Sequence, residues 1–335
     1  MPAMDFCKSG EFYTCKTGEF RFAKVGIFIL QQTPIHFFLL IKILNNININ
    51  NKYVILYGLG VFVIKDGFRV IKKGELAYLV VPSFEATGMV RHCFTTRVGG
   101  VSQGIYESLN TSIIKEDPME NVRRNLDLVC GAIGIDYTNL VFSDQTHEDN
   151  IRVVTVADIG KGLTIPSDIT NTDGLMTNVP GIPLITFYAD CVPLLFLDRR
   201  NRAIATVHSG WKGTVLKIGA KTIKQMAEVY STKPEDCLIG IGPSLEMSCF
   251  EVGPEVAEQF AENFGSRPRI IKPLNNGKYI VDLWEANKQL LMEQGVPEKN
   301  ITISGFCTKC NEELFFSYRR DKGRTGSLSV IMELR

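Results

Sequence analysis

The 335-residue chain carries 37 basic and 36 acidic side chains, a balance that gives no electrostatic case for nucleic acid or an anionic membrane surface. Its length and its 45% content of hydrophobic residues suffice for one large core or two smaller ones. Nine cysteines, scattered without framework spacing and with no secretory signal ahead of them, argue for reduced thiols and a cytoplasmic location.

Residues 1–60 read as an extension outside the main core, with scattered Lys and Glu, an apolar stretch over 25–44, and the asparagine-rich Asn45-Asn46-Ile47-Asn48-Ile49-Asn50-Asn51. The apolar stretch does not predict a membrane span. Gln31, Gln32, Thr33, Pro34, His36 and Lys42 interrupt it, and its longest unbroken run is Phe37 to Ile41. A spanning helix needs about 18 such residues. From residue 61 to 335 the pattern is that of a globular α/β domain.

Short β-branched or aromatic runs bounded by Gly, Pro, Asn or Asp predict strands. They fall at Glu75 to Val81, Val90 to Thr95, Leu140 to Ser143, Ile151 to Val156, Leu184 to Tyr188, Leu194 to Leu197, Ala203 to His208, Leu238 to Ile241, Tyr279 to Asp282, Ile301 to Phe306 and Ser329 to Leu334. Helices are predicted over Met119 to Gly131, Thr214 to Tyr230, Pro254 to Phe264 and Leu283 to Gln294. Strands outnumber helices and lie close in sequence. That favours mixed or antiparallel sheets flanked by helices, an α/β (α+β) class, over a doubly wound parallel sheet.

Three segments carry chemistry. Val207-His208-Ser209-Gly210-Trp211-Lys212-Gly213 ends a buried strand on a histidine and turns into a helix. Its glycines allow close backbone approach, its helix amides and Lys212 suit an anion, and His208 is metal-capable. The plainer alternative is a satisfied strand-end histidine before a structural turn. Tyr188-Ala189-Asp190-Cys191 follows a second apolar run, and Pro193 predicts that this strand has ended or bulged there. A Cys191 thiolate would bind zinc, and Asp190 would orient a ligand or move a proton. Equally, Cys191 would serve as a small buried hydrophobe. His147 lies among Gln145, Thr146, Glu148 and Asp149, either as a ligand or as an ordinary loop histidine. Together His147, Cys191 and His208 make a three-ligand set that leaves one position open, as catalytic zinc requires.

Weaker signals remain. Cys307 and Cys310 form Cys-x-x-Cys, half of a zinc site with no second such pair, and read instead as a redox pair or as structural thiols. Thr95-Thr96-Arg97-Val98-Gly99-Gly100 suits an anion or a plain turn. In Tyr318-Arg319-Arg320-Asp321-Lys322, either arginine is a phosphate candidate on an otherwise solvated face. Ile239-Gly240-Ile241-Gly242-Pro243 is too short for a dinucleotide loop.

Seven motifs in order resemble the laccase-domain family. They are Thr96 to Ser102, Ser108-Leu109-Asn110, Gln145-Thr146-His147, Ala189-Asp190-Cys191, Val207 to Gly213, Phe250-Glu251-Val252-Gly253 and Phe316 to Asp321. The likeness spans residues 61–335. That family was first labelled multicopper polyphenol oxidoreductase and is now regarded as purine nucleoside phosphorylases. The resemblance implies zinc on His147, Cys191 and His208, and one compact domain of sheets sandwiched between helices. It implies phosphorolysis of adenosine, inosine, guanosine and methylthioadenosine, together with adenosine deamination. Asp190 is then the candidate proton carrier, with Arg97, Lys212 and Arg319 as candidates for phosphate. The chain departs from the family at Glu246-Met247-Ser248-Cys249, where relatives carry Gly-Pro-Cys-Cys, and at Thr325-Gly326-Ser327, where they carry Thr-Gly-Arg.

Copper oxidase chemistry is the main alternative, since two imidazoles and a thiolate are also a blue-copper set. With four histidines in the chain, only His36 and His92 would remain for further coppers. Editing of peptidoglycan precursors, associated with some relatives, is a further alternative on the same fold.

Overall fold

The computed structural model describes residues 21–23, 27–29, 67–265 and 267–335. The expected extension over 1–60 and the expected domain start at 61 lie outside them, apart from a short antiparallel pair, Arg21–Ala23 (β1) with Ile27–Ile29 (β2). Among the described residues no helix is long and apolar enough to cross a membrane. Most of the apolar stretch over 25–44 falls outside them.

Two six-stranded sheets form the centre of the structure. The first contains Arg69–Lys73 (β3), Leu76–Val80 (β4), Val90–Thr95 (β5) and Val141–Phe142 (β6). The second begins with Ile151–Val153 (β7) and Gly174–Thr177 (β8). Leu184–Tyr188 (β9) returns to the first sheet, and Val192–Asp198 (β10), Ala203–Ser209 (β11) and Cys237–Ile241 (β12) belong to the second. Glu251–Val252 (β13), Ile271–Pro273 (β14) and Tyr279–Val281 (β15) make a small third sheet. Ile301–Ile303 (β16) edges the second sheet, and Leu328–Leu334 (β17) sits between β5 and β9 in the first. Most pairings are antiparallel; β6 with β9, β7 with β8 and β12 with β16 are parallel. Mixed sheets, as the crowding of short strands predicts, are what form.

Strand periodicity builds the layers. On β10, Leu195 and Leu197 point into the core between the two sheets, while Leu194 and Phe196 point to the helices. On β17, Val330 and Met332 face that same central core and Ile331 faces the helix Met119–Ile133. Ile218–Tyr230, Pro254–Phe264 and Leu283–Glu293 cover the far side of the second sheet. The order is helix, sheet, sheet, helices. Layers on both faces leave these strands no solvent side, which is why β10, β11 and β17 are buried along their whole length.

One expectation changes. The helix predicted over Thr214 to Tyr230 is two helices, Trp211–Val215 and Ile218–Tyr230, because Lys217 takes a left-handed φ of 62° between them. As Pro193 predicts, the strand ahead of it has ended, β9 stopping at Tyr188, and Pro193 itself lies near the start of β10, opposite His208. Its carbonyl accepts from the Gly242 amide (2.9 Å), and it sits just beyond the β10–β12 pairing, which begins at Leu194 with Ile241. Strands β3, β8, β13 and β14 have no counterpart in the sequence prediction.

Phe196 is 0% exposed at the centre of β10. Phe196→Ala should lower unfolding free energy by about 3–5 kcal/mol, measured by urea denaturation.

Candidate metal centre

The chain crosses between the two large sheets at 189–191, from β9 to β10, and at 143–150, from β6 to β7. Both crossings meet the end of β11. His147 comes from the second crossing, Cys191 from the first, and His208 from β11 itself, where it pairs with Pro193. Their ligand atoms all lie within 4.8 Å of one another. The His147 and His208 rings meet edge-to-face with centroids 4.8 Å apart. His208 is buried, Cys191 is half-buried and His147 is exposed, so the cluster opens to solvent on the His147 side.

Backbone strain marks both crossings. His147 has φ 65° and Asp190 φ 87°, left-handed values that cost an ordinary residue on the order of 1 kcal/mol or more. Asp173, which sequence reasoning missed, holds the 143–150 crossing. Its Oδ2 accepts from the Thr146 and Glu148 amides (3.0 and 2.9 Å), and its Oδ1 accepts from the His147 amide (3.1 Å). Oδ1 also lies 2.7 Å from His208 Nδ1. That contact fixes Nδ1–H as the donor and leaves Nε2 for the cluster. The sequence signal was an acid before the glycine that opens β8, in Thr172-Asp173-Gly174; it was too common a turn to single out.

Asp190 holds the 189–191 crossing, and its carboxylate, expected from sequence to carry a proton, is engaged there as an anchor. Its Oδ1 accepts from Thr308 Oγ1 (2.6 Å), and its Oδ2 accepts from Ser317 Oγ (3.0 Å) and the Arg319 amide (2.6 Å). A carboxylate so engaged in structural bonds has little freedom to shuttle protons. It fixes the turn that presents Cys191.

Gly210 closes the cluster from above. A Cβ there would stand 3.1 Å from Cys191 Sγ, 3.3 Å from His147 Cδ2 and 3.7 Å from His208 Cε1. Only glycine leaves the space between the donors open. Lys212 follows in the first turn of Trp211–Val215, exposed, with Nζ 5.8 Å from the Trp211 ring centroid.

The two arginine candidates are partly engaged by the main chain. Arg97 donates through Nε to the Glu107 carbonyl (2.9 Å) and stacks its guanidinium 4.8 Å from the Phe316 ring centroid. Arg319 donates through Nη1 to the Glu251 carbonyl (2.9 Å) and lies 5.5 Å from the Phe250 centroid.

The electrostatics favour a thiolate. Burial alone would raise Cys191, but His208 and His147 outweigh it and bring the thiol down to about 6. Burial alone would lower His208, yet Cys191 and Asp173 raise it to about 9. Such a thiolate needs no proton loss to accept a cation at neutral pH, whereas His208, raised to about 9, must release its Nε2 proton as the cation arrives.

His92, the spare imidazole, is elsewhere. It is buried against the Phe84 ring, and its Nε2 accepts from the Val81 amide (2.8 Å). Burial depresses it to about 3, so it stays neutral. Cys307 and Cys310 are not an isolated pair either: Glu246, Cys249, Cys307 and Cys310 bring four donor atoms within 4.8 Å of one another.

Residues 91–335 match the family described as multi-copper polyphenol oxidoreductase laccase. Purine nucleoside phosphorylase YlmD of Bacillus subtilis is 37% identical over 243 residues, 72% of this chain and 87% of that protein. A purine nucleoside phosphorylase of Bacteroides thetaiotaomicron is 38% identical over 253 residues, 75% of this chain and 94% of its own. The crystal structure of the Bacillus licheniformis hypothetical protein YfiH superposes with a TM-score of 0.74 at 33% identity, over 80% of this chain and 99% of the other.

In chelator-treated protein, iodoacetamide should alkylate Cys191 with a rate midpoint near about 6 rather than the ordinary thiol value of 9.0. His208→Ala should move that midpoint upward, read by peptide mass spectrometry across a pH series.

Proposed function

The chain belongs to the multi-copper polyphenol oxidoreductase laccase family, and on that premise we propose that it is a zinc-dependent purine nucleoside phosphorylase that also deaminates adenosine. The observation that carries the reading is the convergence of His147, Cys191 and His208 within 4.8 Å, with Asp173 behind His208 Nδ1. Two imidazoles and one thiolate are the donor types zinc prefers. With all three donor atoms within 4.8 Å of one another, His147, Cys191 and His208 are close enough that they would hold one such ion together. Gly210 keeps that space free, and the exposed His147 side gives a fourth position access to substrate.

When bound, zinc supplies Lewis acidity that polarises an attacking water or a departing group. The remaining work falls to the chain. Asp173 locks the His208 ring and the 146–148 backbone in register. Asp190 locks the Cys191 turn onto residues 308–319. In phosphorolysis a phosphate oxygen bonds to the anomeric carbon as the bond to the purine nitrogen breaks, giving free base and sugar 1-phosphate. Lys212, and the guanidinium donors of Arg97 and Arg319 not given to carbonyls, are the cations assigned to that phosphate. In deamination water adds to the purine carbon bearing the amino group and ammonia leaves. Adenosine, inosine, guanosine and methylthioadenosine are the proposed nucleosides. Every cysteine among the described residues is free, which fits a reducing cytoplasm.

A multicopper oxidase would need further imidazole-held ions beside the first. Neither spare histidine supports this: His92 is spent on the Val81 amide, and His36 lies outside the described residues. The other donor group among the described residues contains no imidazole.

Purified protein should contain zinc by elemental analysis, form adenine from adenosine only with phosphate, and form inosine without it. Cys191→Ala should abolish both products while leaving the circular dichroism spectrum unchanged. Zinc-loaded protein that yields neither product would sink the reading. Asp173→Asn should weaken zinc binding by about 10- to 100-fold in chelator competition.

A further inference from the structure

Three sulfurs and a carboxylate meet at a place the proposed reaction does not use. Cys249 Sγ lies 3.3 Å from Cys310 Sγ, Cys310 Sγ lies 4.0 Å from Glu246 Oε1, and Cys307 completes the group within 4.8 Å. The spacing is Glu246-x-x-Cys249 facing Cys307-x-x-Cys310. Each half is one tight turn, the arrangement by which structural zinc sites gather two donors per loop. The half-site that sequence alone left without a partner has one, with glutamate in place of the fourth cysteine.

We propose that Cys249, Cys307, Cys310 and Glu246 form a second, structural metal site for a thiophilic divalent cation of the zinc class, stapling the 246–249 turn to the 307–310 turn.

The turns are already in register for it. Thr308 N donates to the Ser244 carbonyl (3.1 Å) and Ser244 N to the Phe306 carbonyl (3.2 Å). The Asn311 amide and side chain both donate to the Cys307 carbonyl (3.2 and 2.7 Å). Ser248 Oγ donates to Glu246 Oε1 (2.7 Å), steadying the carboxylate. Arg320, paired with Asp321, donates through Nη1 to the Thr308 carbonyl (3.2 Å) and so holds the second turn from its other side.

A purely apolar role for these cysteines does not account for the geometry. Structural thiols pack as small hydrophobes against carbon; here three sulfurs pack against each other and a carboxylate. A disulfide would use two sulfurs and leave the third, with Glu246, unexplained. Cys249 and Cys307 are buried and Cys310 is exposed, so the site has inner anchors and an entry side. A four-donor set is closed, the mark of a structural rather than catalytic ion. Its placement suits that role, because Thr308, inside the second turn, donates to Asp190 beside Cys191.

The test uses the full chain, stripped by chelator under anaerobic conditions and titrated with zinc or cobalt(II) alone. Wild type should take up two equivalents, and Cys191→Ala and Cys307→Ser/Cys310→Ser one each. Cobalt(II) bound to Cys191→Ala should show thiolate charge-transfer absorption about threefold that of Cys307→Ser/Cys310→Ser, three thiolates against one. Cys310→Ser, at an exposed position, tests the site without disturbing the core and should weaken the second equivalent at least about tenfold. Folded Cys191→Ala that binds no metal overturns the proposal, as does an untreated protein whose mass is two hydrogens light with these thiols unalkylatable. Cys191→Ala binding as many equivalents as wild type would instead remove the reading of the first centre and leave the second standing.

Discussion

One carboxylate organises the candidate centre. Asp173 sits at the mouth of β8 with its side chain fully buried, and it receives three consecutive backbone amides and a ring nitrogen. Burial opposes its charge, but His208 and those amides hold it below the ordinary carboxylate range, so the anion is the stable form. Because the 146–148 amides and the His208 ring share this acceptor, loop and strand are fixed relative to one another before any ligand arrives. A buried charge fully paired in this way rigidifies its surroundings; stripped of partners, it would be among the costliest groups in the fold.

The same logic explains why strain collects where it does. His147 and Asp190 take left-handed backbone at the two places where the chain steps from the first large sheet to the second. A regular strand would alternate its side chains and could not bring neighbours to bear on one point. The distorted steps turn His147 and Cys191 toward β11, and the hydrogen bonds at Asp173 and Asp190 offset the conformational cost. The sheets supply stiffness, and the crossings supply direction.

Strand-and-helix layering was legible in the sequence because it rests on hydrophobic period and on Gly, Pro and Asn punctuation. Pro254–Phe264 emerges with its expected limits, bounded by Pro254 and Gly265. Strands such as β13 and β14 were not legible, since short exposed pairings depend on tertiary neighbours rather than on pattern. At the site, chemistry-bearing side chains on strand ends stood out, while their supports did not. Asp173 is an unremarkable turn acid until His208 lies against it, and Asp190 is a plausible proton carrier until Thr308, Ser317 and Arg319 take both its oxygens. Glu246 and Cys249 lie some sixty positions from Cys307 and Cys310, and nothing local joins them.

The placement of β17 sets an order of events during synthesis. Leu328–Leu334 pairs with β5 on one side and β9 on the other, so the first sheet is parted down its middle until those residues have left the ribosome. Ser317 and Arg319, which clamp Asp190, emerge only slightly sooner. The two halves of the first sheet, β3–β5 and β9 with β6, are therefore joined only once β17 has arrived, after every strand of the second sheet has been made.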